Sequence, residues 1–354
     1  MQEINYQQAQ KMDSLIYIDC RTKKEYKEAT IPGAINIPIL NDKQRAKVGT
    51  IYTQQSPAKA KMLAVKLVAP KIPELVKRVQ SASKNYKNIL FFCSRGGLRS
   101  ESLARFCQLA GLKKIYKLSG GYKSYRRFIL NQLEDYQLEN KLVVLHGYTG
   151  VGKTDLLYNL NKKGFNIIDL EKLANHRGSA FGAIGLGTPR NAKAFDSLLW
   201  EKLERITDNN FIIIEAESKR IGQSVIPDFL IEKMANGIQI LIKSSLDTRA
   251  RRIMSEYATS YQKNKKSFIN RALESLNSIK KHLINNLGKK GYQQLIENCQ
   301  QGDLEKVIIT LFENYYDPLY SHSLDKHKFD LIIENNHLEE IANKIDDYLA
   351  TLKD

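Results

Sequence analysis

The stretch NILFFCSRGGLRSESLARF, residues 88–106, places an apolar run, a cysteine, paired glycines and a helical pattern one after another. Asn88–Phe92 reads as a short buried strand, while Leu103, Phe106 and Leu109 recur at helical spacing. Cys93 therefore falls on a strand-to-helix loop, where backbone N–H groups can turn toward a common point. A thiolate is the nucleophilic form of cysteine and needs positive potential to persist near neutral pH. Arg95 and Arg99, the amides of residues 94–99 and the positive end of the following helix would all supply it. Gly96 and Gly97 allow the unusual dihedrals such a cradle demands. The same cradle suits a tetrahedral oxyanion such as phosphate. The plain alternative is a buried structural cysteine beside solvated arginines; a place at the mouth of the loop favours the reactive reading.

Outward from this loop, strands and helices alternate. LIYIDC (15–20), INIPI (35–39), NILFFC (88–93) and KIYKLS (114–119) read as strands, with helical patterns around 57–68, 72–81 and 100–110. SGGYKSYRRFILNQL then leads through a helix to about Leu138. A second series of strands follows in KLVVLHG, FNIIDL, FIIIEAE, IQILIK and FDLIIEN. Between them Phe195, Leu198, Leu199, Leu203 and Ile206 share one face of an amphipathic helix. Alternation of this kind predicts an α/β fold with parallel sheets in both halves. The expected organisation is one domain over 1–125, a linker helix over 126–140, and a second domain over 141–354 with a basic helical insertion around 243–292.

The chain has 354 residues, 42% of them hydrophobic, which is enough for two cores. No apolar run approaches the length of a membrane span, and the polar start MQEINYQQAQKMDS carries no secretory signal pattern, so no membrane partner is expected. Cys20, Cys93, Cys107 and Cys299 are widely spaced, which argues against a zinc site or a disulfide framework and suits a reducing cytoplasm. Cys20 and Cys107 read as core cysteines, and Cys299 as a cysteine in a polar helix. Net charge is +17, and it is concentrated. Lys43–Lys87 holds eleven basic residues and one acidic, and Lys243–Lys290 holds twelve and three, leaving the rest of the chain slightly acidic. Two basic blocks favour a polyanion-binding surface over a uniform bias. Tyr52, Tyr86, Tyr257, Tyr261 and Phe268 lie within them and are candidates to stack on bases.

VVLHGYTGVGKTDLL (143–157) sets Gly147, Gly150, Gly152, Lys153 and Thr154 in P-loop spacing between an apolar strand and a helix. Backbone amides would cradle a phosphate at the helix start, Lys153 would reach the terminal phosphate, and Thr154 would hold Mg. The strand FIIIEAESKRIG (211–222) ends in Glu215 and Glu217 where nucleotide hydrolases of this type carry Asp. DTRARRIMSEY puts Arg249, Arg251 and Arg252 in one helical turn, like an anion-binding lid or a solvated basic face.

Two resemblances follow. YIDCRTKKEYKEATIPGAINIPI (17–39) resembles the opening of a rhodanese domain, with Asp19-x-Arg21, then Glu25-Tyr26, then Ile-Pro-Gly-Ala; Thr30 stands where that family has His. Cys93–Arg99 fits its active loop, and Asp19 and Arg21 then support that loop. Rhodanese followed by a P-loop domain is similar to the tRNA 2-selenouridine synthases. The shared strings are Cys93–Ser100, Leu118–Arg127, Asp169–Gly182, Glu217–Gly222, Tyr315–Tyr320 and VGTIYTQ, spanning roughly residues 13–325. The resemblance implies an N-terminal rhodanese-like domain and a P-loop NTPase-like parallel α/β domain. It implies a transferase that replaces the sulfur of wobble 2-thiouridine in the anticodon arm of tRNA with selenium from selenophosphate. A geranyl group from geranyl diphosphate first alkylates the sulfur, which otherwise leaves poorly.

On that resemblance Cys93 takes or relays selenium, with Arg95, Gly96, Gly97 and Arg99 holding the phosphate part. Gly147, Gly150, Gly152, Lys153 and Thr154 bind the diphosphate. Asn175, His176, Arg177 and Ser179 form a second-site loop facing it, and Glu215 and Glu217 hold a metal or orient that loop. Arg126, Arg127, Arg251, Arg252, Lys265 and Lys266 belong to the tRNA surface, while Tyr315, Tyr316 and Asp317 brace the domain interface. No organic cofactor is expected, and the protein is expected to be a monomer. The rivals are a rhodanese-type sulfurtransferase, a P-loop kinase or ATPase with a regulatory rhodanese module, and an RNA-binding protein with silent loops.

Overall fold

The structure is a computed structural model describing residues 1–177, 188–207, 210–325 and 327–352. Its contacts divide the chain into two compact units, Met1–Asp135 with Lys193–Glu201, and Tyr136–Ala192 with Lys202–Asp354.

The first unit runs β1 (Gln2–Ile4), α1 (Tyr6–Gln10), β2 (Leu15–Asp19), α2 (Lys23–Glu28), β3 (Ile35–Asn36), α3 (Asp42–Gln54), α4 (Pro57–Val68), α5 (Ile72–Ser83), β4 (Asn88–Phe92), α6 (Leu98–Leu109), β5 (Ile115–Leu118) and α7 (Gly121–Glu134). Its sheet has the order β1-β5-β4-β2-β3, and every pairing is parallel. Parallel strands covered by helices on both faces read as continuous apolar runs, as Ile89–Phe92 does, buried throughout. Two elements escape the periodicity argument. β1 is only three residues long, and α3 buries no residue; it is fixed by the Asn41–Gln44 capping box. α7 belongs to this unit rather than standing apart as a linker.

The second unit runs β6 (Lys141–His146), α8 (Lys153–Lys162), β7 (Asn166–Ile168), α9 (Leu170–Ala174), α10 (Ala192–Leu203), β8 (Phe211–Glu215), β9 (Arg220–Ile221), β10 (Ser224–Val225), α11 (Asp228–Ala235), β11 (Ile238–Lys243), α12 (Leu246–Lys263), α13 (Lys265–Ser278), α14 (Lys280–Gln301), α15 (Leu304–Leu311), α16 (Asp317–Leu324), β12 (Leu331–Glu334) and α17 (Leu338–Ala350). The sheet order is β12-β11-β6-β8-β7, again all parallel, so each foreseen strand of this half is found. α10 differs from expectation, because Lys193–Glu201 groups with the first unit. Its Trp200 packs edge-on against Phe128 and Tyr6 there.

Helices α12–α16 build their own apolar cluster around Phe268, Leu276, Leu283, Leu295 and Leu311. Cys299 is wholly buried in it, so α14 is not polar all round. Phe268 is buried, and Tyr257 and Tyr261 pack edge-on against its ring. These aromatics hold helices together and do not await bases. Among the described residues no helix is long and apolar enough to cross a membrane.

Candidate functional site

In each unit the central strand of the sheet ends in the loop that carries the chemistry. Neighbouring crossovers diverge there and leave a crevice at the carboxyl ends of the strands.

In the first unit, β4 delivers Cys93 to the bottom of its loop. The side chain is 3% exposed, so the thiol lies inside the cradle rather than at its mouth. Ser100 Oγ donates to its Sγ at 3.2 Å, and the thiol donates to Gly97 O at 3.6 Å. The loop is clamped from below by α7, whose first amides donate from Tyr122 to Cys93 O at 2.8 Å and from Lys123 to Ser94 O at 2.9 Å. That approach needs glycine. A Cβ on Gly121, at φ +59°, would lie 2.3 Å from Cys93 O and from Gly96 N. Gly96, at φ +66°, is in the left-handed region as expected.

The Asp-x-Arg pair supports this arrangement. Asp19 and Arg21 are buried and joined at 2.7 Å, Thr30 Oγ1 donates to Asp19 at 2.9 Å, and Arg21 Nη2 donates to Ala29 O at 2.6 Å. The guanidinium lies 3.9 Å from the centre of the Tyr122 ring, which links the pair to the clamp. Arg99 departs from expectation. Its guanidinium grips Glu25 through two hydrogen bonds of 2.6 and 3.1 Å. Burial would raise the Glu25 carboxyl, but these bonds outweigh it and hold the group below the usual carboxylate range. Arg99 is thus a loop anchor, and exposed Arg95 is the cation left for an anion. Cys20 and Cys107 lie in the core, where burial pushes both thiols up, Cys107 to about 12.

In the second unit, β6 leads into the P-loop. Gly147, Gly150 and Gly152 take φ values of 149°, 84° and 86°. A Cβ at Gly147 would meet Ile242 O at 2.6 Å, and one at Gly150 would meet Arg249 O at 2.8 Å. Lys153 Nζ folds back to donate to Gly147 O at 2.9 Å. Two lid arginines serve the loop's backbone. Arg249 Nε donates to Thr149 O at 2.9 Å, and Arg252 donates to Val151 O and to Asn336 O. Arg249, 4% exposed at its side chain, also makes a two-pronged pair with Asp317 at 2.6 and 2.8 Å. The YYDPLY string therefore braces the P-loop inside its own unit, through Asp317, and half-buried Arg252 is engaged with backbone carbonyls. Arg126 is likewise paired, to Asp196 at 2.7 Å, whereas Arg127, Arg251, Lys265 and Lys266 are exposed.

A cavity of about 400 Å³ opens over the P-loop. Lys153 and Thr154 line it together with Glu171, Arg177, Glu217 and Tyr320. Beside it, a narrow apolar pocket among α12, α13 and α15 shares Thr149, Ile253 and Tyr257 with the cavity and is floored by Phe268, Leu311 and Phe312. Glu215 is wholly buried; one carboxylate oxygen accepts from Glu171 N at 2.9 Å, and the other has no partner among the described residues. Burial raises the carboxyls of Glu171, Glu215 and Glu217, and their mutual repulsion adds to the rise for Glu171 and Glu215, Glu171 reaching about 8. Glu171 is the residue the motif reading passed over, although it stands two positions after Asp169 in the DLE string.

Of the second-site loop, Arg177 lines the cavity and pairs with Glu256. Asn175 instead caps α9 in the left-handed conformation and donates to Thr188 O at 2.9 Å. His176 packs against Gly222, where burial lowers its pKa. Ser179 lies outside the described residues. Among the described residues no three His, Cys, Asp or Glu side chains form a ready metal site. A magnesium ion would need oxygens from a bound diphosphate alongside Thr154 and a cavity carboxylate, which is how Mg²⁺ is commonly held.

Comparison with known proteins agrees with this division. The family described as "Rhodanese-like domain" matches residues 4–128, and that described as "tRNA 2-selenouridine synthase AAA domain" matches residues 140–351. The chain is 33% identical to "tRNA 2-selenouridine synthase" of Pseudomonas fluorescens, over 86% of this chain and 87% of that protein. It is 32% identical to the protein of that name from Pseudomonas savastanoi pv. phaseolicola, over 95% and 94%, and 30% identical to that of Shewanella oneidensis, over 90% and 89%. A rhodanese-type loop built on Cys93 and a P-loop cavity, carried on one chain with these relatives, identify it as a member of the tRNA 2-selenouridine synthase family.

Proposed function

We propose that this protein is a tRNA-modifying transferase that converts wobble 2-thiouridine to 2-selenouridine through an S-geranyl intermediate. Geranyl diphosphate and selenophosphate are its small substrates. The observation that carries the reading is the pairing of a polar P-loop cavity with an adjoining apolar pocket. A prenyl diphosphate would set its diphosphate on the P-loop and point the start of its chain toward this pocket, of about 60 Å³.

In the first step the thiocarbonyl sulfur attacks C1 of the geranyl chain, the C1–O bond breaks and diphosphate departs. The P-loop amides and Lys153 bind the diphosphate and stabilise the charge it gains on leaving. The residues present fit one Mg²⁺, with Thr154 and Glu171 or Glu217 as its protein oxygens; such an ion would add further positive charge at the leaving group. Alkylation at sulfur makes the uridine N3 proton acidic. A cavity carboxylate in its ionised form accepts it, and the burial and neighbouring carboxyls that raise the Glu171 pKa make its ionised form the stronger acceptor.

In the second step a C2–Se bond forms and the C2–S bond breaks. Geranyl thiol leaves, and water cleaves the P–Se bond to release phosphate. Arg95 and the amides of the Cys93 loop hold the phosphate portion, and Cys93 is the nucleophile whose thiolate first displaces geranyl thiol at C2 and is then itself displaced by the selenium, so that no oxidant is needed. The test is nucleoside mass spectrometry of 2-thiouridine tRNA incubated with both donors. Wild type is expected to form 2-selenouridine, Cys93→Ala to accumulate the geranylated nucleoside, and Lys153→Ala to leave the tRNA unchanged. Unmodified tRNA with wild type and both donors present would overturn the reading.

A further inference from the structure

A second apolar groove, of about 300 Å³, lies in the first unit, on the side of the Cys93 loop. Ala64, Val65, Val68, Leu98 and Phe106 line it, with Lys61, Arg99 and Ser102 as its polar members. Two of these side chains are unusually open for their type: Val65 is 60% exposed and Leu98 is 54% exposed. Leu98 and Arg99 sit between Gly97 and Ser100, the two residues that touch the Cys93 thiol. The groove and the cysteine cradle therefore draw on one stretch of chain, Gly97–Ser100.

The helices beside it have the opposite character: Lys61 lines the groove, and Lys43, Lys47, Lys59 and Lys66, on the packed pair α3 and α4, are exposed. A ligand matching both features must carry a flexible hydrocarbon chain on a polyanion. We propose that this groove holds the geranyl chain of S-geranyl-2-thiouridine tRNA during selenium transfer, with the lysines of α3 and α4 against the flanking phosphates. The inference rests on the two-step reading above and gives the first unit a prenyl subsite of its own. Seating the chain there places the alkylated C2 at the mouth of the Cys93 cradle. It also gives the departing geranyl thiol an apolar place to rest, so the chain assists selenation as well as being lost by it.

The test separates the steps by supplying tRNA already carrying S-geranyl-2-thiouridine, or S-methyl-2-thiouridine as a chainless control, with selenophosphate. Val65→Asp puts a charge into the groove at an exposed position, and Ala64→Trp fills it without charge. Wild type is expected to selenate the geranylated tRNA at least about tenfold faster at low substrate than the methylated one, since several buried methylenes contribute binding. Both variants are expected to lose that preference while geranylating 2-thiouridine tRNA at the wild-type rate. Equal wild-type rates on the two tRNAs would overturn the subsite, as would variants that keep the preference. If wild type selenates neither tRNA, the two-step reading fails and takes the subsite with it. Concentration-dependent dimers abolished by Val65→Asp, with selenation untouched, would assign the groove to a second copy of the chain and likewise overturn the proposal.

Discussion

Glu171 and Cys93 show how burial sets chemistry at single side chains. Glu171 shares its cavity with Glu217 and touches Glu215, and ionising any one of them places a charge among carboxyls with little water. The folded protein keeps the Glu171 proton until about pH 8, whereas an unfolded chain loses it near 4.5. Between those values the folded state binds more protons, so stability falls as pH rises through that window. Glu171→Gln is therefore expected to flatten the decline of Tm between pH 5 and 8, measured against wild type by calorimetry. Diphosphate with Mg²⁺ is expected to raise the wild-type Tm more at pH 8 than at pH 6, because deprotonated carboxyls bind the cation. At Cys93 the thiol is enclosed, with Ser100 and Gly97 as partners. Ser100→Ala is expected to lower selenation several-fold and leave geranylation unchanged, by the same nucleoside assay.

At the level of elements, both sites depend on backbone carried close to backbone. The Cys93 loop rests on the first turn of α7, and Gly121 makes the contact feasible. Gly121→Ala would add a methyl 2.3 Å from Cys93 O at a backbone conformation L residues avoid. It is expected to abolish selenation while geranylation of 2-thiouridine tRNA persists. The P-loop has a different support, the Arg249–Asp317 pair between α12 and α16. Removing one partner of a buried pair leaves the other uncompensated, so Arg249→Ala is expected to cost about 3 kcal/mol in urea unfolding. The double change with Asp317→Ala is expected to cost less than the sum of the single changes. The strand-loop-helix frames of both sites were legible from apolar runs, glycines and the start of helical spacing. The partners of Arg99, Arg126, Arg249 and Arg252 were not, since Glu25, Asp196 and Asp317 stand between 65 and 75 positions from their arginines and Asn336 further still.

Over the whole molecule the excess charge acts at longer range. Exposed Lys265, Lys266, Arg127 and Arg251 remain the tRNA contacts proposed for the second basic block and α7. Reversing Lys265 and Lys266 to Glu is expected to weaken tRNA binding and reduce its log–log salt slope by about two, one per lost phosphate contact. Arg252→Ala is expected to leave the slope unchanged and to weaken retention of diphosphate, read by equilibrium binding. The sequence by itself determined the two parallel α/β sheets, the loops at Cys93 and Lys153, and the family, because strand periodicity, glycine placement and phosphate-loop spacing are local properties of consecutive residues. Only the tertiary structure decided which arginines are exposed and which are spent on carboxylates and carbonyls. It also turned Tyr257 and Phe268 inward to an apolar pocket, assigned Lys193–Glu201 to the first unit, and gathered Glu171 with Glu217 over the P-loop. Those outcomes depend on which surfaces meet when the chain closes, and long-range burial and charge pairing settle that without leaving a mark in any short stretch of residues.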